Sequence, residues 1–163
     1  MGSSVSGNYS GTQPKSQPYS KYYGVEKDML QLDKDRGVYD DTTGYDKNPA
    51  ATNITNTIKD DQIGFVGKDG KWRPYSGNLT YVIDEHGNII VGKRNGRGFD
   101  GPATPHPTLI GGKNPKVKMA GILKVENGKI VKYDNQSGHF KPNEKSTKEA
   151  DKAFGKLSKN LFI

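Results

Sequence analysis

Three times between residues 63 and 133 the chain writes the same pattern: two short runs of β-branched and aromatic residues on either side of a glycine-bearing turn. Residues 63–66 and 71–75 flank Gly67-Lys68-Asp69-Gly70, and residues 79–83 and 89–91 flank Asp84-Glu85-His86-Gly87-Asn88. Residues 119–125 and 130–133 flank Glu126-Asn127-Gly128-Lys129. Asn-Gly supplies two adjacent residues that tolerate positive φ, which a tight hairpin turn needs if its twist is to match that of its strands. Runs of this composition therefore close as antiparallel hairpins.

The period changes after Pro142. Ala150, Ala153, Phe154, Leu157 and Leu161 recur at helical spacing, with Lys148, Lys152, Lys156 and Lys159 on the remaining face. Ser146 and Glu149 stand three apart, the spacing of a capping box. The expected fold is α+β: a small antiparallel β-sheet built from hairpins, covered on one side by a C-terminal helix, with a poorly structured N-terminal connector.

Apolar residues make up 31% of the chain without its 21 glycines, and with them the chain still falls short of the roughly 45–50% of an ordinary globular protein. Part of the chain must then stay solvated, and the Ser, Gly, Gln, Pro and Tyr of residues 1–23 mark that part as a flexible linker. Residues 24–62 read as a polar, weakly structured segment. A short helix is expected over 25–32 with Met29 and Leu32 on one side, and a weak strand or helix over 53–58. Residues 63–163 are left as the basic α+β domain. Met1-Gly2-Ser3-Ser4 reads as an added start, with a larger carrier protein expected upstream.

Charge is unevenly spread. Residues 1–78 hold 10 Lys and Arg against 10 Asp and Glu, whereas residues 79–163 hold 15 against 8, so the whole net charge of +7 lies in the second half. Such an excess favours a polyanionic partner, the alternative being a basic surface that only keeps the protein soluble. There is no cysteine, which excludes a disulfide framework, a Cys-ligated zinc site and a thiol nucleophile. No apolar run approaches the ~20 residues of a membrane span, and no leader with a charged start and apolar core is evident.

Two of the three histidines fall in the glycine-rich second half, in Thr104-Pro105-His106-Pro107-Thr108 and in Ser137-Gly138-His139-Phe140-Lys141-Pro142. Two imidazoles brought together act as general base and general acid. With a cation to stabilise a pentavalent phosphate, they are the minimum for RNA cleavage without a metal. Lys113, Arg94, Arg97 and Lys141 are the candidate cations, Ser137 a positioning hydroxyl, Gly111 and Gly112 a site of close ligand approach, and Phe140 a platform for base stacking. Otherwise both histidines simply hold loops together. His86, in a hairpin turn beside Asp84 and Glu85, carries no assigned role. No metal-ligand spacing occurs, and no cofactor is called for.

From Leu79 to about Leu161 the order of Tyr81-Val82-Ile83, Ile90-Val91-Gly92, His106, Gly111-Gly112, Ala120-Gly121, Asn127-Gly128-Lys129 and Ser137-Gly138-His139-Phe140-Lys141-Pro142 resembles the C-terminal toxin domains of bacterial polymorphic toxins of the Rhs and contact-dependent-inhibition types. A region of plant IQ-motif calmodulin-binding proteins is similar. The resemblance spans about half the chain. It implies a secreted antibacterial effector delivered into the cytoplasm of a target cell, blocked by a cognate, acidic immunity protein. Two positions depart from the pattern: Phe140 stands where tyrosine is usual, and Ile122 follows Ala120-Gly121 where toxin relatives often carry an acid. No IQ motif is present, so calmodulin binding does not transfer. The leading expectation is a metal-independent ribonuclease with His106 and His139 as its catalytic pair, Ser137 and Lys113 assisting. An ADP-ribosyltransferase or other NAD-consuming toxin is the first alternative and a non-enzymatic binding module the second.

Overall fold

The computed structural model describes residues 8–9, 23–93 and 105–163. In chain order these form β1 (Asn8–Tyr9), α1 (Lys27–Asp35), β2 (Tyr39–Asp40), β3 (Gly44–Tyr45), β4 (Thr52–Asn53), β5 (Ile58–Lys59), β6 (Gln62–Val66), β7 (Trp72–Pro74), β8 (Gly77–Ile83), β9 (Ile89–Lys93), β10 (Met119–Glu126), β11 (Lys129–Tyr133) and α2 (Thr147–Phe154). Short 3₁₀ turns occupy Ile54–Thr57, His106–Leu109, Glu144–Ser146 and Lys159–Leu161. The architecture is α+β with a predominance of strands. Its main sheet runs in the order β1-β11-β10-β8-β9-β4, beside a three-stranded sheet β5-β6-β7 and the small hairpin β2-β3. Among the described residues every pairing of these strands is antiparallel except that of β1 with β11.

All three hairpins form where the sequence places them: β6–β7, β8–β9 and β10–β11. In the last, Glu126 pairs with Lys129 across Asn127 (φ 47°) and Gly128 (φ 79°), the two positive φ values the turn requires. That turn is also a seat for the small sheet. Gly128 accepts from Ile63 N through its carbonyl and donates through its N–H to Tyr75 O, both at 2.8 Å.

β8 lies at the centre of the main sheet and is buried without interruption from Leu79 to Ile83. Successive side chains of a strand point to opposite faces, so a fully buried run requires cover on both. On one face Leu79, Tyr81 and Ile83 join Met119, Leu123, Val125, Ile130 and Tyr133 beneath Ala150, Ala153 and Phe154 of α2. The Phe154 ring lies 5.3 Å from Tyr81, edge on, and 4.1 Å from Tyr133. On the other face Val82 and Ala120 pack with Tyr23, Ala51, Leu109, Val117 and Phe140. The C-terminal helix thus covers one side of the sheet as expected, and the other side is covered as well, by loops, α1 and β2–β3.

The polar segment 24–62 contributes to both layers. β4 pairs with β9 at the edge of the main sheet, and Ile54 enters the larger core. α1 forms near its expected place but is turned differently: Leu32 is 44% exposed, whereas Asp33 is completely buried. The capping box at α2 does not form. Ser146 closes the preceding 3₁₀ turn with helical φ and ψ, not the extended conformation a capping residue adopts, and its hydroxyl donates to Tyr23 Oη at 2.9 Å.

Candidate functional site

Asp33 is the residue around which the second layer is organised. α1 ends in a Schellman turn, with Gly37 at φ 78°, Gly37 N donating to Lys34 O and Val38 N to Asp33 O. This reverses the chain into β2 and brings β3 back over the helix end. Tyr45 of β3 then donates its hydroxyl to Asp33 Oδ2 at 2.5 Å. His139 Nε2 lies 2.8 Å from the same oxygen, across 106 residues of sequence. A carboxylate only accepts, so both contacts are donations, and Nε2 of His139 carries a hydrogen. Nδ1 is left as the nitrogen for proton exchange. Arg36 Nε stands 3.7 Å from Asp33 Oδ1, which has no hydrogen-bond partner among the described residues.

The loop that carries His139 is braced at several points. Ser137 Oγ accepts from Phe140 N at 3.3 Å, Ser137 O from Lys141 N at 2.9 Å, and Pro142 O from the Asn135 side chain at 3.0 Å. His139 O accepts from Glu26 N at the start of α1. Burial raises the Tyr45 hydroxyl far above the usual tyrosine range, and its bond to Asp33 adds to the rise. Tyr45 therefore remains a donor at every ordinary pH, and the order Tyr45–Asp33–His139 keeps its polarity.

His106 is engaged elsewhere. Its Nε2 donates to Gly121 O at 2.8 Å. Leu109 and Phe140, neighbours of the two imidazoles, share the same core cluster. Both histidine loops therefore cover the same face of the sheet, one imidazole on a strand carbonyl and the other on a buried acid. Gly121 is the common seat of these loops. Besides receiving His106, it lies so close to the Asp134 carbonyl that a Cβ there has no room. Asp134 Oδ1 in turn accepts from Ile122 N at 2.8 Å and Gln136 N at 3.0 Å, and Asp134 O from the Tyr81 hydroxyl.

The remaining expected site residues are placed as follows. Phe140 is 1% exposed and packs in the core, so the expected stacking platform has no open ring face; the apolar pocket under the loop takes the ring instead. Ser137 is 2% exposed and closes its own turn. Gly112 pairs its backbone with Tyr45, at 2.8 and 3.0 Å, so the Gly111-Gly112 turn docks β3 onto the loop, while Gly112 itself stays exposed with no atom within 4 Å of where a Cβ would lie. Lys113, next in sequence, is exposed, and Lys141 is half-buried with φ 46°. Arg94 and Arg97 lie outside the described residues. Asp33 and Tyr45 escaped the sequence reading. The one local sign was an acid at a helix end followed by glycine, and nothing in it indicates a partner 106 residues away.

Among the described residues no group of three His, Cys, Asp or Glu side chains gathers as a metal site. None of their helices is long and apolar enough to cross a membrane. Comparisons of the chain with protein-family models, with curated proteins and with solved structures find no match.

Proposed function

We propose that this chain is the effector domain of a secreted antibacterial toxin that cleaves RNA without a metal, with His139 as its acid–base group. The observation that carries the reading is the chain of hydrogen bonds from Tyr45 through Asp33 to His139. A carboxylate that holds one imidazole nitrogen fixes the tautomer and orientation of the ring and stabilises the imidazolium that forms during proton transfer. His139 Nδ1 takes the proton of a ribose 2′-hydroxyl, the 2′ oxygen attacks phosphorus, and the 5′ oxygen leaves. The proton taken up by His139 is returned to that 5′ oxygen, so the products are a cyclic phosphate and a free 5′-hydroxyl. Lys113, exposed beside the turn that docks on Tyr45, supplies positive charge for the pentavalent intermediate. This reading assigns proton transfer to His139, whose ring a buried acid orients, and gives His106, whose Nε2 donates to the Gly121 carbonyl, the role of seating its loop on β10.

In this reading the domain is the tip of a larger secreted carrier, delivered into the cytoplasm of a target cell. Its basic surface is covered in the producing cell by an acidic immunity protein with complementary charge. One observation favours a different reading, a binding module without catalysis: both histidines are only 6% exposed, as structural histidines commonly are.

Induction of the whole chain in bacteria decides between them. Growth arrest with degraded total RNA, relieved by His139→Ala and by His139→Gln in protein that remains folded by circular dichroism, is the expected result. Intact RNA with label transferred from NAD instead supports an NAD-consuming toxin. Normal growth with abundant folded wild-type protein leaves the binding module.

A further inference from the structure

A polar cleft of about 380 Å³ opens on the loop-covered face of the main sheet, beside the Asp134-Asn135-Gln136 approach to the His139 loop. It is lined by Asn78, Ile122, Lys124, Lys132, Asp134 and Gln136. Three of these form one cross-strand row, because Lys124 of β10 is paired with Asn78 of β8 on one side and with Lys132 of β11 on the other. Directly opposed residues in a sheet carry their Cβ atoms roughly 4.5–5.5 Å apart, where two like charges repel. Little offsets that repulsion within the protein. Lys124 has Glu126 at 3.8 Å in an exposed pair, an arrangement that contributes little. Lys132 has no ion-pair partner among the described residues.

We infer that this cleft binds the phosphate and sugar of a single RNA nucleotide, with Lys124 and Lys132 on the phosphate. Two adjacent ammonium groups match one phosphodiester, while the Asn78 and Gln136 carboxamides offer both donors and acceptors to a sugar or base edge. Asp134 favours a nucleotide over an acidic peptide. Asp134 is 7% exposed, and its carboxylate accepts from an exocyclic base amine, a donor that a nucleotide carries beside its phosphate and that a Glu or Asp side chain lacks. Ile122, half-buried in the floor, is the apolar contact. The departure noted at this position then has a use, since an acid at residue 122 adds a second negative charge beneath the phosphate. The identity of the ligand as RNA rests on the reading of the chain as an RNA-cleaving domain; the anion site rests on the lysine row.

The test is fluorescence anisotropy with a labelled 2′-O-methyl octaribonucleotide, which cannot be cleaved by 2′-hydroxyl attack, across a salt series. Lys124→Gln with Lys132→Gln is expected to weaken binding about tenfold or more and to reduce the log–log salt slope by roughly 1.4, as for two lost phosphate contacts on a single strand. Lys68→Gln with Lys148→Gln, exposed lysines elsewhere on the chain, removes the same charge and is expected to leave binding nearly unchanged. Without RNA, Lys132→Gln is expected to raise the melting temperature by relieving the repulsion. Equal weakening by both double variants overturns the inference, as does equal competition by a hexaglutamate peptide. If cells keep intact RNA but the probe binds with this lysine dependence, the cleft stands and the ribonuclease reading falls. If RNA is cleaved and the Lys124/Lys132 variant binds and cleaves like wild type, the cleft alone falls.

Discussion

Asp33 has no exposed surface, and its Oδ2 receives both the Tyr45 hydroxyl and His139 Nε2. Removing it leaves two donors inside the second layer with nothing to bond. Loss of one partner from a buried charged cluster costs about 3–5 kcal/mol, so Asp33→Ala is expected to lose that much in urea unfolding. Tyr45→Phe keeps the ring against Tyr39, 4.8 Å away, and removes only one hydrogen bond to a charged group, a loss of about 1.5–3 kcal/mol. The two substitutions share one oxygen, so the double variant is expected to cost clearly less than the sum of the singles. An Asp33→Ala protein that unfolds at the wild-type urea concentration removes the cluster from any account of this fold. A catalytic role for His139 makes a further demand: Asp33→Asn loses RNA cleavage beyond what its remaining folded fraction explains.

At the scale of elements, the loops around Gly121 and Gly138 separate packing from chemistry. A methyl group at Gly121 runs into the Asp134 carbonyl, and backbone cannot give way cheaply. Gly121→Ala is therefore expected to push the His139 loop off β10 and to cost about 1–3 kcal/mol in thermal or urea unfolding, the range for an overpacked site. A methyl group at Gly138 meets nothing within 4 Å. Gly138→Ala is expected to hold stability within about 0.5 kcal/mol or to raise it slightly by restricting the unfolded chain. Loss of activity in that stable variant marks Gly138 as a point of ligand approach. The hairpins and α2 were legible because each is written locally, in turn residues and in a period of two or 3.6. The orientation of α1 was not. Hydropathy alone turns Leu32 inward, but Tyr45, His139 and the Schellman turn make Asp33 the buried residue, and those partners are visible only after the chain has folded. The capping box failed for the same reason, since Tyr23, remote in sequence, took the Ser146 hydroxyl.

Taken as a whole molecule, the fold draws the described part of the neutral first half into both layers around the central strands of the basic second half, a union that composition conceals. Asp33, Tyr45 and Tyr23 are single polar or amphipathic residues in a segment with few aliphatics, so no periodic signal announces their burial. Two buried phenols, one in each half of the chain, give the protein a common response to alkali. Tyr45 and Tyr133 are 4% and 1% exposed. Burial first, and then hydrogen bonds to Asp33 and Asp151, raise both hydroxyls well above the ordinary tyrosine value. A raised folded value means that the native chain keeps these protons while the unfolded chain releases them above about pH 10. The stabilisation is therefore complete below pH ~10 and is lost as pH rises beyond it, by about 1.4 kcal/mol per pH unit for each group. Against a total stability of about 5–15 kcal/mol, two such groups account for a steep decline between roughly pH 10 and 12. Urea midpoints measured across that interval are expected to fall accordingly, with a shallower slope in Tyr45→Phe and likewise in Tyr133→Phe. A midpoint that holds constant to pH 12 would show that neither phenol is sealed within the folded chain.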